Sequence, residues 1–339
     1  MRRNGKFIVL CIDGGGVRGI IPAIVLSRLE EKLRQLGKEK PLCSYFSMIS
    51  GTSTGGIIAL GLTSKDVRNP TVPACSSSDL VQLYSERASE IFSTTIFQDA
   101  RSLIDATYDE KGIEKVLDDI LGDSRYEDTL GTFLVTAYEI EQRRPKVFTN
   151  FHSKSRRNYF LKNLARATSA APTYFDPAKI ERLHEPDTFE PLIDGGVFAA
   201  DPTMITLSFL LENGVKLEDI TILSLGTGVE TRSFFYNEVK RWGNLSWVSP
   251  RNGVPIVSIL MQSQTEISAR FCDVLLNRSA SGIESRRYFR IDGQLVRDRG
   301  SDDLDDASPQ NLNELKLLAR DILNVKDNDE MLDHVASLL

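Results

Sequence analysis

Ser53 is the candidate nucleophile of this chain. It lies in the stretch GTSTGG (51–56), with Gly51 and Gly55 two residues to either side. Glycines flank a nucleophilic serine in GxSxG motifs because the turn from strand to helix is too tight for larger neighbours. Such short motifs also recur by chance, so a flexible loop that contains a hydroxyl is the alternative. The apolar strand before it and the apolar helix start after it favour the nucleophile.

A second glycine-rich stretch, DGGGVRG (13–19), is typical of a loop that stabilises an anion. It contains the GxGxxG pattern of dinucleotide sites, but no carboxylate ends the second strand to hold a ribose. A nucleotide-hydrolase phosphate loop is excluded, because Ile20 stands where a lysine should follow. Consecutive N–H groups facing one concavity favour a phosphate or the oxyanion of an acyl intermediate. Arg18 would add a charge or brace the loop.

A serine hydroxyl needs a base, and the usual base is histidine. The chain has three histidines, His152, His184 and His334. His152 lies in a basic stretch, His184 in a loop-like stretch and His334 on the final amphipathic helix. Each of these settings indicates a solvated or structural role. His184 stays open as the base because it precedes Asp194 by ten residues.

Asp194 is the alternative base. It ends a short apolar strand in the stretch LIDGG (192–196), and Gly195 and Gly196 follow it. Apolar surroundings raise the pKa of a carboxylate toward useful values, and nearby N–H groups keep it oriented. A single DGG is most often only a turn. Three glycine-rich turns at strand ends are expected to share one crevice, because open α/β sheets bind ligands there.

Strand-like and helix-like segments alternate in the first 65 residues, which indicates two β-loop-α units. KFIVLCI (6–12) and YFSMIS (45–50) are apolar runs typical of buried parallel strands. Further strands are expected at 132–140, 146–150, 191–193, 220–228 and 287–291, and helices at 19–37, 79–92, 110–121, 158–170, 202–213, 254–277 and 309–324. The pattern predicts an α/β fold, a three-layer sandwich with a mainly parallel central sheet and helical insertions. We expect a single domain over 1–339.

The bulk composition excludes several classes of protein. A net charge of −6 and a pI near 5.4 argue against a nucleic-acid polymer as partner. Four scattered cysteines without metal-ligand spacing predict neither a disulfide nor a metal site. The apolar run near the start, 7–12, is too short for a signal peptide or a membrane span. We therefore expect a cytoplasmic protein that meets a membrane only from its surface.

The three glycine-rich stretches, in this order, resemble the patatin-like phospholipase family. ARATSAAPTYFDP (165–177) resembles a block that precedes the aspartate in that family, and the resemblance covers about residues 6–230. It implies a Ser/Asp dyad without histidine, with Ser53 as nucleophile and Asp194 as general base, acting on fatty-acyl esters of membrane phospholipids without a cofactor. It further implies an oxyanion hole formed by the N–H groups of Gly14, Gly15 and Gly16 and supported by Arg18. The C-terminal part, 231–339, carries no motif, and we expect it to be helical and packed on this core.

Within that family, the strand end SLGTG (224–228) resembles bacterial effectors of the CapV type. That narrower resemblance implies activation by a cyclic dinucleotide in anti-phage defence. An enzyme that hydrolyses small esters or monoglycerides, and a non-catalytic nucleotide-binding module, are the alternatives. The oligomeric state and the headgroup preference are not predicted.

Both tryptophans lie in FFYNEVKRWGNLSWVSP (234–250), together with Lys240 and Arg241. Aromatic and basic side chains together favour a membrane interface, since both settle at headgroup depth. A loop packed over the core is the equal alternative. Peripheral contact with the inner membrane is expected when the enzyme is active. The densest basic runs, 142–144 and 154–157, are either solvated or bind an anionic group.

Overall fold

The structure is a computed structural model that describes residues 5–92, 109–151, 159–183, 185, 187–249, 254–295 and 303–339. Its centre is an eight-stranded sheet. The strands of this sheet are β1 (Phe7–Ile12), β2 (Met48–Gly51), β3 (Phe133–Glu139), β4 (Arg144–Thr149), β5 (Ala178–Glu181), β6 (Phe189–Asp194), β7 (Ile220–Leu225) and β9 (Tyr288–Ile291). Two further strands, β8 (Val229–Glu230) and β10 (Gln294–Leu295), pair with each other.

Helices flank the sheet throughout the described ranges. They are α1 (Ile20–Gln35), α2 (Thr54–Thr63), α3 (Ser77–Glu86), α4 (Ala88–Ile91), α5 (Glu110–Leu121), α6 (Leu161–Thr168), α7 (Gly196–Ala199), α8 (Thr203–Glu212), α9 (Tyr236–Val239), α10 (Asn244–Trp247), α11 (Pro255–Asn277), α12 (Pro309–Asn324) and α13 (Lys326–Leu338). The helix expected at 79–92 is divided at Arg87 into α3 and α4. None of the described helices is long and apolar enough to cross a membrane.

The sheet is mainly parallel, as predicted. Its strand order is β5-β6-β3-β2-β1-β7-β9, with β4 pairing β3. The run from β3 to β9 is parallel throughout. β4, β5 and β6 form antiparallel pairs at one side of the sheet. The α/β class and the mainly parallel sheet are therefore confirmed.

The middle strand β1 shows why the fold has three layers. All six of its residues are buried, and successive side chains of a strand point to opposite faces. Ile8, Leu10 and Ile12 belong to the core that includes residues of α1, α2, α12 and α13. Phe7, Val9 and Cys11 belong to a second core with Leu207 of α8 and Leu276 of α11.

The direction of β6 differs from the direction that the sequence predicts. The turn after Asp194 is expected to end another parallel strand, but β6 is antiparallel to β3. Along β3, Gly51 lies opposite Val135 and Asp194 lies opposite Ala137. β2 and β6 therefore run toward each other along one side of β3. Their carboxyl ends meet head to head, which brings the turns after Gly51 and Asp194 together.

The C-terminal part is not only helical. β9 pairs in parallel with β7, so residues beyond 231 add a strand to the central sheet. α12 and α13 pack against α1. The C-terminal part therefore shares the sheet and the core with the preceding residues, and the single domain over 1–339 stays a prediction.

Candidate active site

Ser53 occupies a strained turn between β2 and α2. Its φ of 55° and ψ of −126° lie in a region that L-residues rarely adopt. The neighbouring glycines are required by close approach, since a Cβ on Gly51 would lie 2.0 Å from the Gly55 carbonyl oxygen. A Cβ on Gly55 would lie 2.2 Å from the carbonyl oxygen of Ile12. This is the geometry of a nucleophile elbow.

Ser53 and Asp194 lie where the carboxyl ends of β2 and β6 meet. The Ser53 hydroxyl is close enough to the Asp194 carboxyl to lower its pKa. The N–H of Gly196 donates to Asp194 Oδ1 at 2.7 Å, which fixes the orientation of the carboxylate. Ser53 is 7% exposed and Asp194 is 4% exposed. The pair is therefore shielded from bulk water.

Burial raises the pKa of Asp194 to about 7. The Ser53 hydroxyl and the hydrogen bond from the Gly196 N–H act against that rise, because they stabilise the charged form. A carboxyl with a pKa near neutrality exchanges a proton readily at physiological pH. The arrangement can therefore support general base chemistry on the serine hydroxyl.

The glycine loop lies beside Ser53, and its N–H groups differ in their availability. The Gly14 N–H donates to the Ala200 carbonyl oxygen at 2.9 Å. The N–H groups of Gly15 and Gly16 donate to no acceptor among the described residues. Both residues line the same cavity as Ser53. Two of the three predicted donors therefore stay available to an anion.

Arg18 contacts the glycine loop from a buried position. Its Nε lies 3.4 Å from the Gly15 carbonyl oxygen, and its Nη1 donates to Glu230 Oε1 at 3.1 Å. The side chain is 6% exposed and forms an ion pair with Glu230. Arg18 is not among the residues that line the cavity. Its contacts favour a bracing role over direct contact with substrate.

An apolar cavity extends from Ser53 and Asp194. The residues that form its walls include Ile57, Ile91, Ile113, Phe175, Val257 and Met261. Ser53, Asp194, Gly15 and Gly16 line the same cavity. A mainly apolar pocket that contains these reactive groups suits an acyl chain joined to an ester.

Of the three histidines, the structure describes only His334, and it does not lie beside Ser53. His334 lies on α13 with its ring 5.5 Å from that of Phe289, and it is not among the cavity residues. His152 and His184 lie outside the described residues. The basic run 154–157 lies outside them as well.

Thr168 is a site residue to which the sequence pattern assigns no role. Its Oγ1 accepts a hydrogen bond of 2.9 Å from the backbone N–H of Ser53, which helps to hold the strained turn. Thr52 Oγ1 lies 2.7 Å from both Thr136 Oγ1 and the Ala199 carbonyl oxygen, and so ties together β2, β3 and α7. Thr168 falls within the ARATSAAPTYFDP block, so the sequence draws attention to this position. Nothing in the block predicts the hydrogen bond to Ser53.

Comparisons with known proteins give a family for this chain. A family model described as patatin-like phospholipase matches residues 10–207. Patatin-like protein 2 of Arabidopsis thaliana is 32% identical over 352 residues, covering 96% of this chain and 82% of its own length. Patatin-07 of Solanum tuberosum is 29% identical, covering 95% of this chain and 86% of its own.

Among solved structures, VipD from Legionella pneumophila matches with a TM-score of 0.38 and 13% identity. The match covers 94% of this chain and 67% of VipD. That likeness is too low to carry an argument.

The family match over 10–207 and the relatives that span nearly the whole chain define its class, a serine lipid acyl hydrolase. The chain belongs to the patatin-like phospholipase family.

Proposed function

We propose that this chain hydrolyses the fatty-acyl esters of membrane phospholipids with a Ser53/Asp194 dyad. The observation that carries this proposal is that the Ser53 hydroxyl faces the buried Asp194 carboxyl, in one cavity with Gly15 and Gly16. We assign the oxyanion hole to the N–H groups of Gly15 and Gly16, because that of Gly14 is engaged with Ala200.

The proposed reaction has two halves. In the first, Asp194 takes the proton from Ser53 while Oγ attacks the ester carbonyl carbon, and the Gly15 and Gly16 N–H groups stabilise the oxyanion. The intermediate expels the lysolipid alkoxide, which takes the proton from Asp194 and leaves an acyl-serine. In the second half, Asp194 takes a proton from water, the hydroxide attacks the acyl-serine, and Ser53 recovers its proton as the fatty acid leaves.

Fatty-acid release from phospholipid vesicles tests the proposed substrate class. We expect release from vesicles of mixed headgroups, since the apolar cavity accommodates an acyl chain. If the enzyme hydrolyses short-chain esters or monoglycerides but releases no fatty acid from vesicles, the smaller molecules and not phospholipids are its substrates. Nucleotide binding without reaction of Ser53 would favour the binding module.

An exposed apolar stripe along α11 supports peripheral contact with a membrane. Exposed side chains recur on one face of the helix at Ile256, Ile259, Leu260, Ile267, Phe271 and Val274. Leu260 is 53% exposed and also lines the cavity, so the stripe reaches the cavity entrance. A lipid acyl chain must leave the bilayer to enter this cavity. A surface continuous with the entrance is therefore the surface that we propose to contact lipid.

The aromatic segment before α11 adds to this surface. α9 and α10 contain no buried residue, which does not agree with a loop packed over the core. Trp242 and Trp247 contact each other edge to face, with ring centroids 5.2 Å apart. Phe235, Tyr236 and Leu245 are mostly exposed. We propose that this segment sits at headgroup depth, with Lys240 and Arg241 nearby.

Replacing Trp242 and Trp247 together with Ala is expected to weaken liposome binding about tenfold or more, because two interfacial rings are lost. Turnover of a soluble ester should stay near that of the wild type, since neither ring lines the cavity. Liposome co-sedimentation and ester assays measure the two effects. Leu36→Ala with Leu317→Ala is the matched control, because both residues are exposed and apolar but lie elsewhere, directly after α1 and on α12. Equal losses of binding and ester turnover would contradict the membrane role.

Activation by a cyclic dinucleotide, with a role in anti-phage defence, is a further proposal that rests on the SLGTG strand end. Thr227 Oγ1 in this stretch donates to the Gly14 carbonyl oxygen at 2.7 Å. A ligand that moved this stretch would therefore act on the glycine loop directly. A panel of cyclic dinucleotides is expected to contain one that raises the rate of fatty-acid release, and unchanged rates with every member would count against activation.

A further inference from the structure

Arg290 of β9 is the centre of a buried charged cluster next to the glycine loop. Its guanidinium donates two hydrogen bonds to Asp13, at 3.0 Å to Oδ1 and 2.6 Å to Oδ2. It also donates to Asp292 Oδ2 at 2.6 Å and to Ser224 Oγ at 2.8 Å. Asp13 is 3% exposed, so water competes little for these bonds. A two-pronged Arg–carboxylate contact fixes orientation as well as distance.

Asp13 joins this cluster to the glycine loop. It follows the last residue of β1 and directly precedes Gly14, and its own N–H donates to the Leu225 carbonyl oxygen at 3.0 Å. Three consecutive glycines have wide conformational freedom, so the loop depends on its neighbours for a fixed shape. The Asp13 side chain anchors the loop on its N-terminal side, two residues before Gly15, as Arg18 does on its C-terminal side.

The same guanidinium reaches the two segments that hold Gly14. Thr227 donates to the Gly14 carbonyl oxygen, and Asp292 Oδ1 accepts the N–H of the next residue, Gly228, at 3.0 Å. Ala200 accepts the Gly14 N–H, and the next residue, Asp201, has Oδ2 3.8 Å from Arg290 Nη1.

The cluster holds three carboxylates around one guanidinium, and Asp201 Oδ2 has no hydrogen-bond partner among the described residues. Buried charges that are imperfectly paired cost stability. Such an excess of buried charge is more typical of a functional site than of a cluster kept for stability.

We propose that Arg290 is a positioning residue for acyl hydrolysis, which sets the orientation of the Gly15 and Gly16 N–H groups through Asp13. This inference rests on the proposed function. Arg290 is not among the cavity residues, so it acts without touching substrate. It also lies beyond the family match at 10–207, which gives the C-terminal part of the chain a direct role in the site.

Arg290→Lys keeps the charge but loses the two-pronged contact, and it is compared with wild type on a soluble ester. We expect kcat per active site to fall about ten- to hundredfold, because a displaced oxyanion donor costs that much. KM should change little. Active sites are counted by complete labelling with a fluorophosphonate, at a temperature well below unfolding, and the labelling rate should fall with kcat. Arg287→Lys is the matched control, since Arg287 precedes β9 and donates to the Leu217 carbonyl oxygen.

A merely structural role gives a different result. In that case Arg290→Lys lowers the number of active sites or the melting temperature, while kcat per labelled site stays at the wild-type value, and the inference is overturned. Asp13→Asn is the second variant if Arg290→Lys does not fold, and it should lower kcat per site in the same way. The double variant should lose no more than the worse single variant, because both act through one contact. Losses that multiply would contradict action through Asp13, whereas a wild type that reacts with no ester or fluorophosphonate would refute the proposed function itself.

Discussion

Ser53→Ala is expected to lower fatty-acid release by about 10⁴-fold or more, because no other group can form the acyl intermediate. The chain should remain folded, since the Ser53 side chain lies at the wall of a cavity, where the loss of one hydroxyl costs little stability. Fatty-acid release from vesicles and urea unfolding measure the two properties. Ser208→Ala is the control, because Ser208 is an α8 residue whose hydroxyl contacts only Glu212 among the described residues. Activity above about 1% of wild type in Ser53→Ala would contradict the assignment.

Ser53→Gly separates the strain at this position from its chemistry. The φ of 55° costs little for glycine but is unfavourable for serine. We therefore expect Ser53→Gly to be as inactive as Ser53→Ala, yet more stable than it by about 1 kcal/mol. Equal stability of the two variants would show that the turn is not strained in solution.

Asp194→Asn is expected to lower turnover by about 10³-fold or more, since an amide cannot accept the serine proton. In the wild type, the pKa of Asp194 is raised to about 7 by burial. The base must be deprotonated, so the rate should rise with pH and level off above about 7. Below that value kcat/KM should fall about tenfold per pH unit. A rate that is flat between pH 5 and 8, or an active Asp194→Asn, would contradict the dyad.

The same raised pKa predicts a stability difference of defined sign. The folded chain binds the Asp194 proton more tightly than the unfolded chain, in which the pKa of the carboxyl has its ordinary value of 3.8. The proton on Asp194 therefore adds to the free energy of unfolding. This contribution is fully present below pH 3.8 and is lost as the pH rises to about 7. Above pH 7, Asp194→Asn should exceed wild type in free energy of unfolding by on the order of 4 kcal/mol, because it removes a buried charge. Urea unfolding of both proteins at several pH values tests this, and the difference should vanish toward acid pH.

Much of the site could be predicted because its parts are local in sequence. A glycine directly after an apolar strand marks a tight turn, and this pattern located the turns at Ser53, the glycine loop and Asp194. The direction of β6 could not be predicted in this way. LIDGG has the same local pattern in a parallel or an antiparallel strand, and its direction depends on pairing with β3, more than 50 residues earlier.

The contacts between distant segments were the least predictable part. The Gly14 N–H was expected in the oxyanion hole, but the Ala200 carbonyl oxygen, 186 residues later in the chain, accepts it in the structure. Arg290 gave a weak signal, as a charged residue within the apolar strand YFRI. An internal arginine indicates a buried acidic partner, but nothing in the pattern identifies Asp13 as that partner.

Mass mapping of a fluorophosphonate adduct tests the proposed dyad most directly. The protein is labelled at several pH values between 5 and 9, digested, and the modified residue is identified by mass spectrometry. We predict a single adduct on Ser53, a labelling rate that rises through a pKa near 7, and no adduct on Ser53 in Asp194→Asn over the same time. Fatty-acid release by a protein whose Ser53 stays unlabelled, or an adduct on another serine, would contradict the Ser53/Asp194 mechanism.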